Sequence, residues 1–264
     1  MDALNLNQHI SQKFNEELEE VRRKVLLMGG IVEDQLAHAL TAMLSGDTEL
    51  AGQVVLNDQR VNALEVEIDE ECTRIVARRQ PAATDLRLVM AVIRTINDLE
   101  RMGDEIKRVA KMIREELDGS MAEEVRLEME HMGEQVRAML HQVLDAFART
   151  DADAAVAVAR ADRKVDMKYH AITRQLMTYM AEDHGAIPQM LNVLWAARAL
   201  ERIGDRCQNI AEYVIYLVIG KDVRHVSLDD VMAELKRRAE SEAGRSTESD
   251  TETAPGPASQ AGTS

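Results

Sequence analysis

Residues 200–205 of the chain read LERIGD, and residues 99–104 read LERMGD. Five of the six positions are identical, and the two blocks lie 101 residues apart. A second alignment, shifted by 104 residues, pairs Gly29 with Gly133, Leu40 with Leu144 and Asp58 with Asp162. The difference of three between the shifts indicates a short deletion in the turn before the second block, because turns tolerate changes of length. The sequence therefore predicts an internal duplication.

Apolar residues follow a helical period. In the first segment they stand at Phe14, Leu18, Val21, Val25, Met28 and Val32. This spacing of four and three is typical of an amphipathic helix with a coiled-coil-like seam, and it continues to about residue 218. No sustained strict alternation predicts strands. Breaks at residues 45–47 and 150–151 help to delimit six long helices, predicted at 8–45, 47–79, 82–117, 121–149, 151–181 and 187–219.

Helices of this length, joined by short turns, pack as antiparallel neighbours. Together with the duplication, they predict an all-α fold of two tandem three-helix bundles related by internal pseudo-symmetry. The first bundle is predicted at residues 1–119 and the second at 120–226. Residues 227–264 are expected to hold a short helix near 227–238 and then a disordered tail, since SEAGRSTESDTETAPGPASQAGTS, from Ser241 onward, is polar and rich in Ser, Thr, Pro and Gly.

Composition narrows the classes of function. The 264 residues carry a formal net charge of −15, which argues against nucleic acid as a partner, because binding its phosphates needs clustered Lys and Arg. The two cysteines lack metal-site spacing and are expected to be buried free thiols in a reducing cytoplasm. The sequence predicts no signal peptide, and no apolar run has the length of a membrane span. Phosphate loops and nucleophile elbows are also missing, so no enzyme is predicted, and Trp195 is interpreted as a packing residue.

The repeated blocks carry acids at positions that share a helix face. Glu100 and Asp104 are four residues apart, as are Glu201 and Asp205. Counting residues from the turns places acids of the preceding helix at a similar height. Two oxygen-rich patches result, the first formed by Asp58, Asn62, Glu100 and Asp104, the second by Asp162, Asp166, Glu201 and Asp205. Hard oxygen ligands suit Mg, Ca, Mn or ferric iron.

The alternative is that these acids form solvated helix faces, with Arg101 and Arg202 paired to them. Asn62 stands in place of an acid, so the first patch is the weaker candidate. Gly103 and Gly204 lie inside helices, where Gly costs about 1 kcal/mol relative to Ala, and this repeated cost predicts close approach of a neighbouring helix. A single ExxH motif at residues 128–131 does not favour a di-iron bundle, which uses two such motifs.

The blocks occur within longer segments: LNLNQHISQKFNEEL (4–18), ARRQPAATDLRLV (77–89), LERIGDRCQNIAEYV (200–214) and GKDVRHV (220–226). Over about 85% of its length the chain resembles the PhoU family, in its proteobacterial form. The resemblance implies two three-helix bundles that bind metal ions (Mg, Mn, Fe or Zn), singly or as clusters, through E/D-x-x-x-D motifs. It also implies a non-enzymatic negative regulator of the phosphate-starvation response and of phosphate uptake.

The resemblance further implies partners. They are a sensor histidine kinase and the ATPase subunit of a phosphate ABC transporter, which the protein would couple so that the response regulator is dephosphorylated when phosphate is plentiful. A homodimer is expected, located in the cytoplasm and recruited to the inner membrane face through its partners only. Two alternatives stay open: a metal-binding or metal-storing bundle without a signalling role, and a structural bundle that assembles only with itself.

Overall fold

The computed structural model describes residues 2–115, 121–224 and 226–251. Its helices are α1 (Asp2–Ser45), α2 (Thr48–Arg79), α3 (Ala83–Glu115), α4 (Glu123–Arg149), α5 (Ala152–Glu182), α6 (Ile187–Ile219) and α7 (Leu228–Thr251). A single 3₁₀ turn, His184–Ala186, precedes α6. These ranges contain no strand, which confirms the all-α prediction.

The predicted helix ends agree with the structure to within two residues in most places, and α6 matches at both ends. The exception is α1, which begins at Asp2 and not at the predicted residue 8. This segment contains Ala3, Leu4 and Leu6, which favour a helix, so the helix continues to the start of the described chain. The predicted end of α3 at residue 117 lies outside the described residues.

Equivalent breaks separate the first two helices of each repeat. Gly46 adopts a left-handed conformation (φ 71°), and the Asp47 carboxylate accepts hydrogen bonds from the backbone N–H groups at the start of α2. Thr150 is also left-handed (φ 53°), and Asp151 caps α5 by accepting a hydrogen bond from Ala154 N. Acidic N-caps satisfy free N–H groups and stabilise a helix by ~1 kcal/mol. The sequence predicted both breaks.

The two sets of three helices pack in the same way. In the first, α1, α2 and α3 contact one another, and in the second, α4, α5 and α6 do. The sets join where α3 packs on α6 and α1 packs on α4, so that residues 1–224 form one compact unit. The predicted boundary between the bundles, 119/120, falls within residues 116–120, outside the described chain.

The contact of α1 with α4 is reciprocal. Gly29 of α1 receives the side chain of Leu144 from α4, and Gly133 of α4 receives Leu40 from α1. A Cβ added at either glycine would lie 2.9 Å from a leucine Cδ1, closer than real Cβ contacts. The two pairs are those that the 104-residue shift matched. The internal symmetry of the sequence is thus an internal symmetry of packing.

The core is built from aliphatic and methionine side chains, among them Met28, Leu36, Met102 and Met132. Cys72 and Cys207 are buried free thiols, as predicted. Burial raises the pKa of Cys72 to about 12 and raises that of Cys207 as well, so both stay protonated. The interpretation of Trp195 as a packing residue was wrong: it is 58% exposed, because its position on α6 faces solvent.

The described residues 226–251 belong to a second unit. Its helix α7 starts after Ser227, whose hydroxyl accepts a hydrogen bond from Asp230 N, and carries ion pairs of Glu234 with Arg237 and Arg238. The predicted end at residue 238 was wrong, because Ala, Glu and Arg residues extend the helix to Thr251. The rest of the predicted tail, 252–264, lies outside the described residues. Within the described ranges, no helix has the length and apolar composition of a membrane span.

Candidate metal centre

The second acidic patch lies where α5 packs on α6. Asp162 and Asp166 of α5 and Asp205 of α6 each place a carboxylate oxygen within 4.8 Å of the others. They range from buried Asp162, only 5% exposed, to exposed Asp205 at the surface. Oxygens on opposite sides of a cation are ~4–5 Å apart, given metal–oxygen distances of ~2.0–2.6 Å. The three carboxylates therefore have the spacing of ligands around one ion.

Glu201 lies beside this group but is not one of the three. Its Oε1 accepts a hydrogen bond from Nη1 of Arg198, one turn earlier on α6. Its Oε2 is buried and has no hydrogen-bond partner among the described residues, and the same holds for Asp162 Oδ1. Buried carboxylate oxygens normally have partners, because removing them from water is unfavourable. Two buried carboxylate oxygens of the second patch thus remain without a hydrogen-bond donor.

Carboxylate pKa values in the second patch follow from burial and mutual repulsion. Burial, and then the charges of Asp166, Asp205 and Glu201, raise the pKa of Asp162 to about 7. The pKa values of Glu201 and Asp205 are also raised, first by burial and next by a neighbouring aspartate. A bound cation would remove this repulsion and keep the group ionised.

Gly204 explains why the two helices can approach so closely here. A Cβ at this position would lie 2.9 Å from Asp162 Oδ1 and 3.4 Å from Val165 Cγ1. In the first repeat, Gly103 faces Asp58 Oδ1 in the same way, at 3.3 Å. The close helix approach predicted from the repeated glycines is confirmed. Each glycine brings a buried aspartate of one helix against the backbone of the next.

The first patch has a different balance of charge. Asp58, 1% exposed, accepts a hydrogen bond from Lys107 Nζ at 2.6 Å, and the same ammonium lies 3.8 Å from Asp104. Asn62 places its amide where Asp166 stands in the second patch. Burial and the charge of Asp104 raise the pKa of Glu100. Lys107 therefore neutralises the buried aspartate of the first patch, whereas no cation of the described residues forms an ion pair with Asp162 of the second patch.

Both patches gather the predicted residues, but only the second forms a group of three carboxylates close enough for one ion among the described residues. The duplicated sequence explains the contrast. The 101-residue shift places Gln208 opposite Lys107, and the 104-residue shift places Asp166 opposite Asn62. The residues of the second patch fit a hard divalent cation such as Mn²⁺ or Mg²⁺, held by Asp162, Asp166 and Asp205 with Glu201 beside them.

The arginines of the repeated blocks do not neutralise their own acids. Arg202 reaches across to Glu105 of α3 at 2.9 Å, and Arg101 donates no hydrogen bond to another described residue. Arg198 pairs with Glu201, and Lys107 with Asp58. Sequence reasoning missed these last two cations. Their spacing in the sequence could have indicated this pairing, because each stands three residues from an acid of the repeated block.

We expect the metal-free protein to lose stability as the pH rises from about 4 to about 7. The folded state keeps a proton on Asp162 up to a pKa of about 7, whereas the unfolded state releases it near the ordinary value of 3.8. The folded state thus binds more protons in this window, so stability falls with pH and levels off above it. Melting temperatures from pH 4 to pH 8 in EDTA test this.

The variant Asp162→Asn should flatten that profile, and the exposed Asp34→Asn should leave it unchanged. Adding Mn²⁺ at pH 8 should restore the melting temperature of the wild type and not that of Asp162→Asn. A wild-type profile that rises between pH 4 and pH 7 would contradict the raised pKa.

Comparison with known proteins agrees with the internal repeat. The model of the PhoU domain matches the chain twice, at residues 25–113 and 129–214. The chain belongs to the PhoU family. Each match contains one LERxGD block and the helices that surround it. The resemblance expected from the sequence is thereby confirmed, as is the duplication.

Curated members of the PhoU family are similar to this chain over most of their length. The chain is 52% identical over 229 residues to the phosphate-specific transport system accessory protein PhoU of Serratia marcescens, covering 87% of this chain and 94% of that protein. It is 51% identical over 231 residues to the protein of the same name from Escherichia coli (strain K12), covering 88% and 95%.

Solved structures of the PhoU family share the fold. The crystal structure of PhoU from Pseudomonas aeruginosa superposes with a TM-score of 0.76 at 50% identity, covering 79% of this chain and 100% of that one. The phosphate transport system regulatory protein PhoU from Streptococcus pneumoniae gives a TM-score of 0.74 at 31% identity, covering 80% and 99%.

Proposed function

We propose that this chain is a phosphate transport accessory protein that acts as a negative regulator of the phosphate-starvation response and of phosphate uptake. The observation that carries the proposal is the double match to the PhoU domain, together with relatives that are named phosphate-specific transport system accessory proteins. The protein couples a phosphate ABC transporter, through its ATPase subunit, to a sensor histidine kinase. When phosphate is plentiful, the kinase then dephosphorylates the response regulator.

The role needs no catalysis by this chain. Coupling requires surfaces that two partners recognise, and long packed helices present such surfaces as grooves. Recruitment to the inner face of the membrane proceeds through the partners. A homodimer is part of the same proposal.

Alkaline phosphatase activity in cells lacking this gene, grown with ample phosphate, tests the proposal. High activity that falls when the gene is restored supports a repressor. Normal repression without the gene would overturn it.

A second candidate function is that of a metal-binding bundle, and the three-carboxylate group favours it. Asp205→Asn should reduce Mn²⁺ affinity at least tenfold, since it removes one charged ligand. Asp104→Asn is the matched control, because Asp104 occupies the equivalent position of the first repeat. Calorimetry of both metal-stripped variants measures the difference, and equal effects would contradict a site specific to the second repeat.

The same pair of variants separates the two functions in cells. If the ion serves regulation, Asp205→Asn fails to restore repression of alkaline phosphatase, although circular dichroism shows an unchanged helix content. If Asp205→Asn restores repression in full while metal binding is lost, the ion has a separate role.

A further inference from the structure

A cleft of about 280 Å³ opens between α3 and α6. Three arginines line it: Arg94 and Arg101 from α3, and Arg206 from α6. The side-chain amides of Asn97 and Asn209 add neutral hydrogen-bond donors. A chain with a formal net charge of −15 thus concentrates guanidinium groups in one small cavity.

The one acid that lines the cleft is fully engaged. Asp98 is 4% exposed and accepts hydrogen bonds from Arg206 Nη1 (3.1 Å), Asn209 Nδ2 (3.4 Å) and the Tyr213 hydroxyl (2.9 Å). All three donors come from α6, so Asp98 ties α3 to α6 and holds these side chains in place. With one carboxylate against three guanidinium groups, the lining keeps two positive charges in excess.

The two excess positive charges, those of Arg94 and Arg101, have no anionic partner within ion-pair distance among the described residues. In the described chain, neither Arg94 nor Arg101 donates a hydrogen bond or forms an ion pair, and Arg94 lies over the rings of Tyr213 and Tyr216 at 5.8 and 5.9 Å. Arg206 Nε is buried and also has no hydrogen-bond partner there. Asp222, which the charge of Arg94 influences, is already held by two hydrogen-bonded contacts with Arg224. A buried N–H donor without an acceptor is unfavourable and points to a missing ligand.

We propose that this cleft binds a small dianionic oxyanion: a phosphoryl group, either free as inorganic phosphate or carried on a small phosphomonoester. Guanidinium groups match the geometry of phosphate oxygens and can donate to them in pairs. Two excess positive charges complement a dianion. The volume of the cleft is close to the lower limit of small-molecule pockets, ~300 Å³. A cleft of this size is too small to hold a helix, which is ~10 Å across. Although the net charge of the chain is negative, the local charge of the cleft lining is positive.

The proposal concerns binding alone and does not depend on the regulatory role. Calorimetry of the full chain tests it, with inorganic phosphate and phenyl phosphate as separate probes, at constant ionic strength and in EDTA so that no metal ion carries the anion. We expect saturable binding, with the dissociation constant raised at least tenfold in Arg94→Gln and in Arg101→Gln. Both arginines lack hydrogen bonds within the described chain, so these variants should fold normally, as circular dichroism would verify.

A control variant tests whether the effect is specific. Arg137→Gln removes a charge from an exposed residue of α4 that pairs with Glu134, and it should not change the affinity. Binding of inorganic phosphate supports the free ion as ligand, and binding of phenyl phosphate alone supports a phosphomonoester. Absence of saturable binding with both probes would overturn the proposal, as would affinities that Arg94→Gln and Arg101→Gln leave unchanged.

Discussion

Replacing Asn62 by Asp and Lys107 by Gln in the same chain is expected to raise the Mn²⁺ stoichiometry from one ion to two. These changes give the first patch the residues that the second has at Asp166 and Gln208. They remove the ammonium that lies 2.6 Å from Asp58 Oδ2 and add a carboxylate on the same helix face. Two charges at ~4 Å interact by ~4 kcal/mol at an effective dielectric constant of ~20, so a gain in affinity of at least ~100-fold is expected at the new site.

The reciprocal variant, Asp166→Asn with Gln208→Lys, should abolish binding at the second patch by the same reasoning. Lys111→Gln is the matched control for the lost lysine, because Lys111 is exposed on α3 one turn beyond Lys107. Calorimetry and elemental analysis after gel filtration give the stoichiometry. A wild type that already binds two ions, or a double variant that still binds one, would show that Lys107 does not control the first patch.

Much of this candidate centre could be predicted from spacing. Counting residues from the turns placed the acids of α2 and α3, and of α5 and α6, at the same height, and the structure brings each set together. The partners of Lys107 and Arg202 could not be predicted in this way. Each cation stands three residues from one acid of its own helix, but the packing of neighbouring helices also brings it close to an acid of another helix, with which it pairs. Arg202 turns to Glu105 because α3 packs on α6, a contact between repeats that counting within one repeat does not reveal.

The cleft between α3 and α6 could not be predicted from the internal duplication, for a related reason. Repeats are found where the two copies agree, and apart from Arg101, which matches Arg202, this cleft is built where they differ. The 101-residue shift places Ala199 opposite Asp98, Glu105 opposite Arg206 and Trp195 opposite Arg94. The helices themselves were predictable because apolar period and capping residues are local signals. A site made mostly of unmatched residues from the two copies can be located only when the packing of those copies is known.

Gly29→Leu is expected to destabilise the protein by about 3 kcal/mol, whereas Gly30→Leu should stabilise it by a few tenths to about 1 kcal/mol. The two glycines are neighbours on α1, so both changes gain the same helix propensity. A Cβ at Gly29 would meet the buried side chain of Leu144, but a Cβ at Gly30 has no atom within 4 Å. The difference between the variants therefore isolates the contact of α1 with α4. Urea unfolding monitored by circular dichroism measures it.

A second substitution distinguishes a packing clash from a local defect of the helix. Leu144→Ala alone leaves a cavity and should cost ~2–5 kcal/mol, since Leu144 is 7% exposed. Combined with Gly29→Leu, it should cost less than the sum, because the new leucine fills the space that Leu144 vacates. Strict additivity would mean that the two residues do not share that space.

The internal symmetry predicts the same compensation at the second contact. Gly133→Leu with Leu40→Ala should show it, since Gly133 receives Leu40 as Gly29 receives Leu144. Two independent compensations of similar size would show that α1 packs on α4 through two equivalent glycine–leucine contacts, which the internal duplication relates to each other.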